Sequence, residues 1–378
     1  MEENFLSRAF NKALRVSGLY KMIYKVQKNF IIGKNVLKKE DVKEDYMLLE
    51  KIRPKRDNSC ILDTERKTEE KYDLDIIIAA YNCEEYIEKC LLSCLNQKTD
   101  YSYRIIVSDD GSKDGTGDII DEFAKKYYNI RSFHKENGGC SSARNAALEL
   151  VKAKYVLFLD SDDWLAEGAL EHMLKAAYKF DADILEGGMK CLDENRVYFT
   201  TEHKDAKIKK TELSGYPVSK LFRSSLFNNL RFNEDYLYED SICSQILYYL
   251  TDRIYGLNKI VYYYRNNLNS ISVVRKTKEA LDHLWITILL YEERNKLGLP
   301  VDYDYRIYLI NQSILGYKRL LAQDEDIRRA HFNVYCEFLE KEDIIKDDEV
   351  PADLKDLIWA IKTRDFGFFE LIGKYKSV

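Results

Sequence analysis

Between residues 72 and 189 short apolar runs alternate with helical stretches, and this alternation limits the possible folds more than any other feature of the chain. Apolar runs fall at 74–80, 103–108, 155–160 and 184–189, and helical spacing at 84–96, 117–126, 141–152 and 166–180. Strand and helix in alternation bring successive strands into parallel pairing, and near-continuous apolar runs suit strands buried on both faces. The prediction is an α/β domain with a mostly parallel central sheet and helices on both faces. In such sheets ligands gather outside the carboxyl ends of the strands. The residues directly after each apolar run therefore decide what the domain binds.

The run Tyr155-Val-Leu-Phe-Leu ends abruptly in Asp160-Ser161-Asp162-Asp163. Strand alternation sends Asp160 and Asp162 to one side, where both can meet one cation. Hard divalent ions such as Mn2+ or Mg2+ take oxygen ligands and complete their shells with water and substrate phosphates. A metal here would bridge a diphosphate. A lone Asp-x-Asp often marks a surface turn; its place after a buried strand makes this one informative. The second run ends in Ser108-Asp109-Asp110-Gly111-Ser112, adjacent carboxylates suited to a base or ribose and a glycine that permits a tight turn. The plain alternative is a polar turn with a helix cap from Asp114 or Thr116. The first run passes through Ala79-Ala80 into Tyr81-Asn82, which taken alone is a loop at the binding edge.

Three further segments carry weaker signals. In Asn137-Gly138-Gly139-Cys140-Ser141-Ser142-Ala143-Arg144-Asn145, small residues let backbone approach a phosphate and Arg144 offers a fork of donors at a helix start. An arginine bridging a surface is the commoner use. Glu239-Asp240 precedes an expected apolar helix at 241–249, so Asp240 is either a general base or a helix-start acid, and composition alone favours the second. Tyr262-Tyr263-Tyr264-Arg265, with Ser270-Ile271-Ser272 beyond it, would close over phosphates or else supply core tyrosines.

The flanks differ in character. No acidic residue occurs from 4 to 39, where nine lysines and arginines alternate with apolar residues, so the segment reads as a basic amphipathic helix. Such a helix lies on an anionic membrane surface or docks its apolar stripe on protein with the lysines solvated, and both readings stand. Residues 39–71 are charged, contain Pro54 and show no sustained period, as in a linker or irregular wrap. Beyond Arg265 helical signals at 278–296, 305–322, 326–340 and 352–362 predict a helical carboxyl-terminal domain. The expected division is an amino-terminal helical arm and linker at 1–71, an α/β domain at 72–272 and the helical domain at 273–378. Net charge -5 and pI near 5.8 argue against a surface tuned to nucleic acid. The chain lacks a long apolar run and begins without a secretion-signal pattern, so it is expected in the cytoplasm. Its eight cysteines are scattered without a C-x-x-C pair, which suits small buried hydrophobes rather than a zinc site.

Taken in order, Tyr81-Asn82, Asp109-Asp110-Gly111-Ser112, Ala143-Arg144-Asn145, Asp160-Ser161-Asp162-Asp163 and Glu239-Asp240 resemble the family 2 glycosyltransferases of the GT-A fold, over about 74–272. The resemblance implies an inverting transfer from a nucleoside diphosphate sugar, UDP-linked, to a glycan or lipid-linked glycan in surface polysaccharide synthesis. It places Ala79, Tyr81, Asp109, Asp110, Arg144 and Asp160 in the donor site, with Asp110 on the base and Asp160 near the ribose. Asp162 would hold Mn2+ or Mg2+ on the diphosphate, and Asp240 would be the catalytic base. Two departures stand out: Ala79-Ala80 replaces a proline common in the family, and the basic arm lies outside the shared region. Two other classes compete. A metal-dependent nucleotidyltransferase would need a glycine-rich basic loop after the first strand, which 79–84 does not provide. A non-catalytic nucleotide-sugar-binding module would follow if Glu239-Asp240 only capped a helix.

Overall fold

The computed structural model describes residues 19–193, 196–266, 277–346 and 350–376. Residues 4–18 of the expected arm and 267–272 of the Tyr262–Ser272 segment lie outside them. The described residues form two compact units: one drawn from those within 19–55, 277–284 and 301–376, the other from those within 56–266 and 285–300.

The chain opens with helices α1 (Leu19–Ile31) and α2 (Val42–Ile52). In the charged stretch that showed no period, α2 nevertheless forms, because its charges frame one inward residue, the fully buried Leu49. Then follow β1 (Tyr72–Ala80), α3 (Ile87–Leu95), β2 (Tyr103–Asp109), α4 (Thr116–Lys126), β3 (Ile130–His134), α5 (Gly139–Leu148) and β4 (Ala153–Asp160). After these come β5 (Trp164–Leu165), α6 (Ala169–Phe180), β6 (Ile184–Leu192), β7 (Val197–Thr201), β8 (Ala206–Lys207) and β9 (Lys220–Arg223). A short helix α7 (Ser241–Gln245) and the long strand β10 (Ile254–Arg265) complete the sheet unit's regular elements.

The strands join in one sheet of order β3-β2-β1-β4-β9-β6-β10-β5, with β7 added beside β6 and β8 beside β10. Pairing is parallel from β3 through β4 and between β6 and β10, while β9 inserts antiparallel between β4 and β6. The core strands are buried on both faces, as parallel strands require. On one face Leu74, Ile76, Ile78, Ile105, Val107, Leu157 and Leu159 pack with Leu91 of α3, Ile120 of α4 and Leu170, Met173 and Leu174 of α6. On the other, Phe158 meets Phe222, Phe227 and Phe232 edge to face with ring centres 5.2–6.1 Å apart. A buried ion pair ties the amino ends: Asp75, fully buried, accepts from Arg104 Nε at 2.8 Å and Nη2 at 2.7 Å and from the Lys152 amide at 2.7 Å. The expected apolar helix at 241–249 breaks after five residues into a 3₁₀ turn, Leu247–Tyr249.

The helical unit contains α9 (Tyr303–Arg319), α10 (Glu325–Lys341), α11 (Lys355–Lys362) and α12 (Phe366–Tyr375), following α8 (Asp282–Lys296). Phe332 of α10 stacks on Phe369 of α12 with centroids 4.2 Å apart, and Tyr335 is buried with its hydroxyl on Leu309 O at 2.8 Å. Among the described residues no helix is long and apolar enough to cross a membrane.

Candidate active site

The site forms where the strand order turns back on itself. Strand β1 lies between β2 and β4, so connections depart on opposite sides of it and leave a crevice at their carboxyl ends. The register fixes what lines that crevice: Ala79 stands opposite Ser108 on one side and Asp160 on the other, and Ala80 stands opposite Asp109. Both acidic strand ends therefore reach the same edge within one residue. Tyr81 follows, 48% exposed, and Asn82 turns the chain with φ 46° while its side chain accepts from the Lys113 amide at 2.8 Å.

Asp109 and Asp110 are both buried but serve different neighbours. Asp109 Oδ2 meets His134 Nδ1 at 2.7 Å, and its Oδ1 accepts from the Ser112 hydroxyl at 2.6 Å and amide at 3.1 Å. Burial alone would raise this carboxyl, but the hydrogen bonds from His134 and Ser112 outweigh it and hold it below the ordinary carboxylate range. Asp110 draws in the next loop: Oδ1 accepts from Lys135 Nζ at 2.8 Å and the Gly138 amide at 3.0 Å, and Oδ2 from the Gly139 amide at 2.7 Å. The small residues ahead of α5 thus present their amides to a protein carboxylate. Close approach is needed here, since a side chain at Gly111, with φ 75°, would meet Asn137 N and Lys135 O at 3.0 Å.

Strand β4 ends at Asp160, and the chain turns through Ser161 and Asp162, with the Asp163 amide donating to Asp160 O at 3.0 Å. Asp163 points inward, 1% exposed, accepting from the Tyr262 hydroxyl at 2.6 Å and the Arg265 amide at 2.7 Å; it fastens β10 to the end of β4. Asp162 is half-buried close to Asp160. Its carboxyl is pushed up to about 6, by burial first and by Asp160 second, with Arg265 opposing. Among the described residues no group of three or more His, Cys, Asp and Glu side chains is gathered as a metal cage. What the chain offers a cation is this pair of neighbouring carboxylates. The donor set fits Mn2+ or Mg2+ bound by few protein oxygens, with a diphosphate and water supplying the rest, and a cation would relieve the repulsion that raises Asp162.

Arg144 joins the halves of the site. Expected at the edge of a phosphate loop, its side chain is only 6% exposed; Nη2 holds Asp160 Oδ1 at 2.8 Å and Nη1 holds Glu239 Oε1 at 3.0 Å, with the guanidinium 5.4 Å from the Phe232 ring centre. The next residue continues the tie. Asn145 accepts from the Phe232 amide at 2.9 Å and donates to Phe232 O at 2.9 Å and Glu234 Oε1 at 3.0 Å. The middle of α5 thereby clamps the segment that carries Glu239-Asp240. That segment is bent tightly: Asp235 and Tyr238 both have left-handed φ, 63° and 68°, a conformation that side-chain-bearing residues adopt rarely and that clusters at functional sites. Asp240 stands directly before α7 and makes no side-chain hydrogen bond capping it. It occupies the helix-start position, where a negative charge meets the amino end of the helix dipole without a capping hydrogen bond.

The residues that reading from sequence missed are His134 and Lys135, which position the acidic pair; Tyr262 and Glu239 were singled out with their segments, but not as partners of Asp163 and Arg144. A basic residue directly after the β3 run was the available signal for Lys135. Around Asp162, Arg265 Nε donates to Asp162 O at 2.8 Å, its guanidinium lies 5.0 Å from the Trp164 ring centre and 4.7 Å from that of Tyr86, and Lys89 Nζ sits 3.3 Å over Trp164. Two cations thus flank the acidic strand end.

Comparison with known proteins agrees with this fold. The family model "Glycosyl transferase family 2" matches residues 75–235, the span from β1 to the segment before Glu239. Glycosyltransferase GlyA of Streptococcus pneumoniae is 32% identical over 267 residues, 66% of this chain and 37% of that protein. Poly(ribitol-phosphate) beta-glucosyltransferase of Bacillus spizizenii is 30% identical over 244 residues, 63% of this chain and 32% of its own length. The chain thus spans about a third of each of these relatives. Among solved structures, S. aureus TarS 1-349 in complex with UDP-GlcNAc aligns over 80% of this chain and 90% of its own with TM-score 0.63 at 20% identity, a likeness of fold.

Proposed function

This chain belongs to the family 2 glycosyltransferases, and we propose that it transfers a sugar from a uridine diphosphate donor to a hydroxyl of a surface glycan or lipid-linked glycan, on the cytoplasmic side, with inversion at the anomeric carbon. The observation that carries this reading is the Arg144 bridge, which sets the Glu239-Asp240 loop against the Asp160 strand end. A donor gripped at the strand ends would then face a carboxylate held beside it. The name of the Bacillus spizizenii relative supports a surface polymer as the acceptor class.

In this reading the uracil and ribose lie along the β1–β2 edge. Asp110 keeps acceptor capacity for the base beyond its bonds to Lys135, Gly138 and Gly139, because an ionised carboxylate accepts about four hydrogen bonds. Tyr81, exposed at the same edge, and Ala79, at the floor between the acidic strands, would border the base and ribose. Asp160 and Asp162 would hold Mn2+ or Mg2+, which supplies positive charge to the departing diphosphate when bound. Asp240 takes the proton from the acceptor hydroxyl, the hydroxyl oxygen forms its bond to the anomeric carbon from the face opposite the diphosphate, and the bond to the diphosphate oxygen breaks. One displacement of this kind inverts the configuration.

Heat protection by a panel of nucleoside diphosphates and their sugars, with and without Mn2+, tests the donor site. A uridine nucleotide is expected to raise the unfolding temperature, and more so with metal. The substitution Asp240→Asn then separates chemistry from binding: protection should persist while transfer falls by about 10²–10⁴-fold. Transfer at the wild-type rate in Asp240→Asn would remove Asp240 as the base, and indifference to every nucleotide would remove the donor site.

A further inference from the structure

Helix α1 has two faces of opposite character. One is anchored within the helical unit: the Tyr24 hydroxyl donates to Asp356 Oδ2 at 2.7 Å, Lys28 Nζ meets Asp356 Oδ1 at 2.6 Å, and the Tyr24 and Tyr375 rings lie 5.2 Å apart. The other carries Met22, Val26 and Phe30, exposed by 60%, 50% and 66%. A spacing of four residues places these three on one stripe. Lys21 and Lys25, both exposed, border the stripe, and Lys34 Nζ lies 5.9 Å from the Phe30 ring centre. The helix contains no acidic residue, and the acid its inner face meets, Asp356, is engaged by Lys28. The sequence offered two uses for a basic amphipathic helix. Here the inner face docks on protein, and a second apolar stripe remains outside.

We infer that this outer face of α1 is a docking surface for an anionic lipid bilayer, with Met22, Val26 and Phe30 entering the acyl boundary and Lys21, Lys25 and Lys34 meeting the headgroups. This inference is independent of the transferase reading. Three observations select the occupant. An apolar stripe bordered by lysines matches the interfacial geometry in which long basic side chains reach headgroups while their neighbours are buried. A second copy of the chain would bring the two sets of lysines together with no carboxylate on either helix to pair them. A nucleic acid would satisfy the lysines and leave Phe30 and Met22 in water.

The test is co-sedimentation of the full chain with vesicles of equal parts phosphatidylglycerol and phosphatidylcholine, and with pure phosphatidylcholine vesicles. Wild type should bind the anionic vesicles, weaken with added salt and bind neutral ones far less. Replacing Lys21 and Lys25 together with Gln should lower partition onto anionic vesicles by about 25-fold, at about a fivefold factor for each surface cation. The triple change Met22→Ser, Val26→Ser and Phe30→Ser should lower it at least as far without altering the circular dichroism. Should that variant unfold, Phe30→Trp reads the same contact: its emission should shift to shorter wavelength with anionic vesicles alone. Equal binding to both vesicle types overturns the inference. So do variants that bind like wild type, a tryptophan emission unmoved by lipid, or a wild-type dimer that separates on the Phe30 change without any lipid binding.

Discussion

Replacing Arg144 with Met tests the link on which the site depends. The guanidinium makes two charge-assisted hydrogen bonds, to Asp160 at 2.8 Å and Glu239 at 3.0 Å. Each such bond contributes about 1.5–3 kcal/mol. The carboxylates are 34% and 20% exposed, which places both near the low end of that range. Contact with the Phe232 ring at 5.4 Å adds about 0.5–1 kcal/mol, which the methionine thioether partly restores. Burying an arginine has its own cost, and relieving it offsets part of the loss. The expected destabilisation is about 2–3 kcal/mol, read as a lower urea midpoint with unchanged slope. With the bridge gone, Asp160 and Glu239 repel and the loop bearing Asp240 shifts. A displacement of about 1 Å costs about 100-fold in kcat. Arg144→Lys retains charge but not the fork, so it should recover about half the stability and little of the rate. A Met variant within about 0.5 kcal/mol of wild type and with its kcat intact would refute the reasoning. A loss confined to the donor KM would show instead that the guanidinium binds donor rather than positions the loop.

Asp162→Ala should abolish the extra heat protection that Mn2+ gives with a nucleotide while raising the unliganded unfolding temperature. Its carboxyl, pushed up to about 6, opposes folding at neutral pH by about 3 kcal/mol. Glu186 behaves in the opposite sense: burial would raise it, but Lys220 at 2.8 Å, His203 and Ser214 outweigh burial and bring it down to about 2. Its stabilisation, on the order of 3 kcal/mol, is complete above the unfolded value of 4.5 and is lost as pH falls from there towards 2, which thermal midpoints measured across that range should follow. Lys220→Met leaves that carboxylate buried beside no ammonium and should cost about 3–5 kcal/mol, so an unchanged midpoint would remove the pair as a stabilising element.

The sheet and its acidic edge were legible because both signals are local. An apolar run such as Tyr155-Val-Leu-Phe-Leu that ends in aspartates announces a buried strand and a polar strand end within ten residues. Strand β3, Ile130-Arg-Ser-Phe-His134, gave no such signal, since it is a short edge strand whose residues are mostly half-exposed or exposed. Strand β9 was hidden by Lys220, a lysine that reads as surface and is fully buried on Glu186. Helix α2 was masked by the lysines and acids around Leu49. In the site, the residue types at the strand ends were readable, but their partners were not. Arg144 meets Glu239 across 95 positions and Tyr262 meets Asp163 across 99, and no spacing rule relates residues so far apart.

Which of the strand-end carboxylates turn to the ligand follows from how each charge is met inside the protein. Asp163 accepts from a hydroxyl and an amide, and Asp109 meets His134 and accepts twice from Ser112, so both carry structural bonds. Asp110 accepts three hydrogen bonds and retains room for one more, a capacity suited to a neutral donor such as a base N–H and not to a cation already answered by Lys135. Asp160 shares Arg144 with Glu239 and so stands between the two halves of the site. Asp162 is the exception. Burial and Asp160 both disfavour its charge, and Arg265 offsets them incompletely, so the folded chain holds it at a cost that a divalent cation would remove. In the proposed reading, a divalent cation bound with the donor would supply the compensation that the chain itself does not. Stability gained on removing Asp162, with metal response lost, would be the signature of that arrangement.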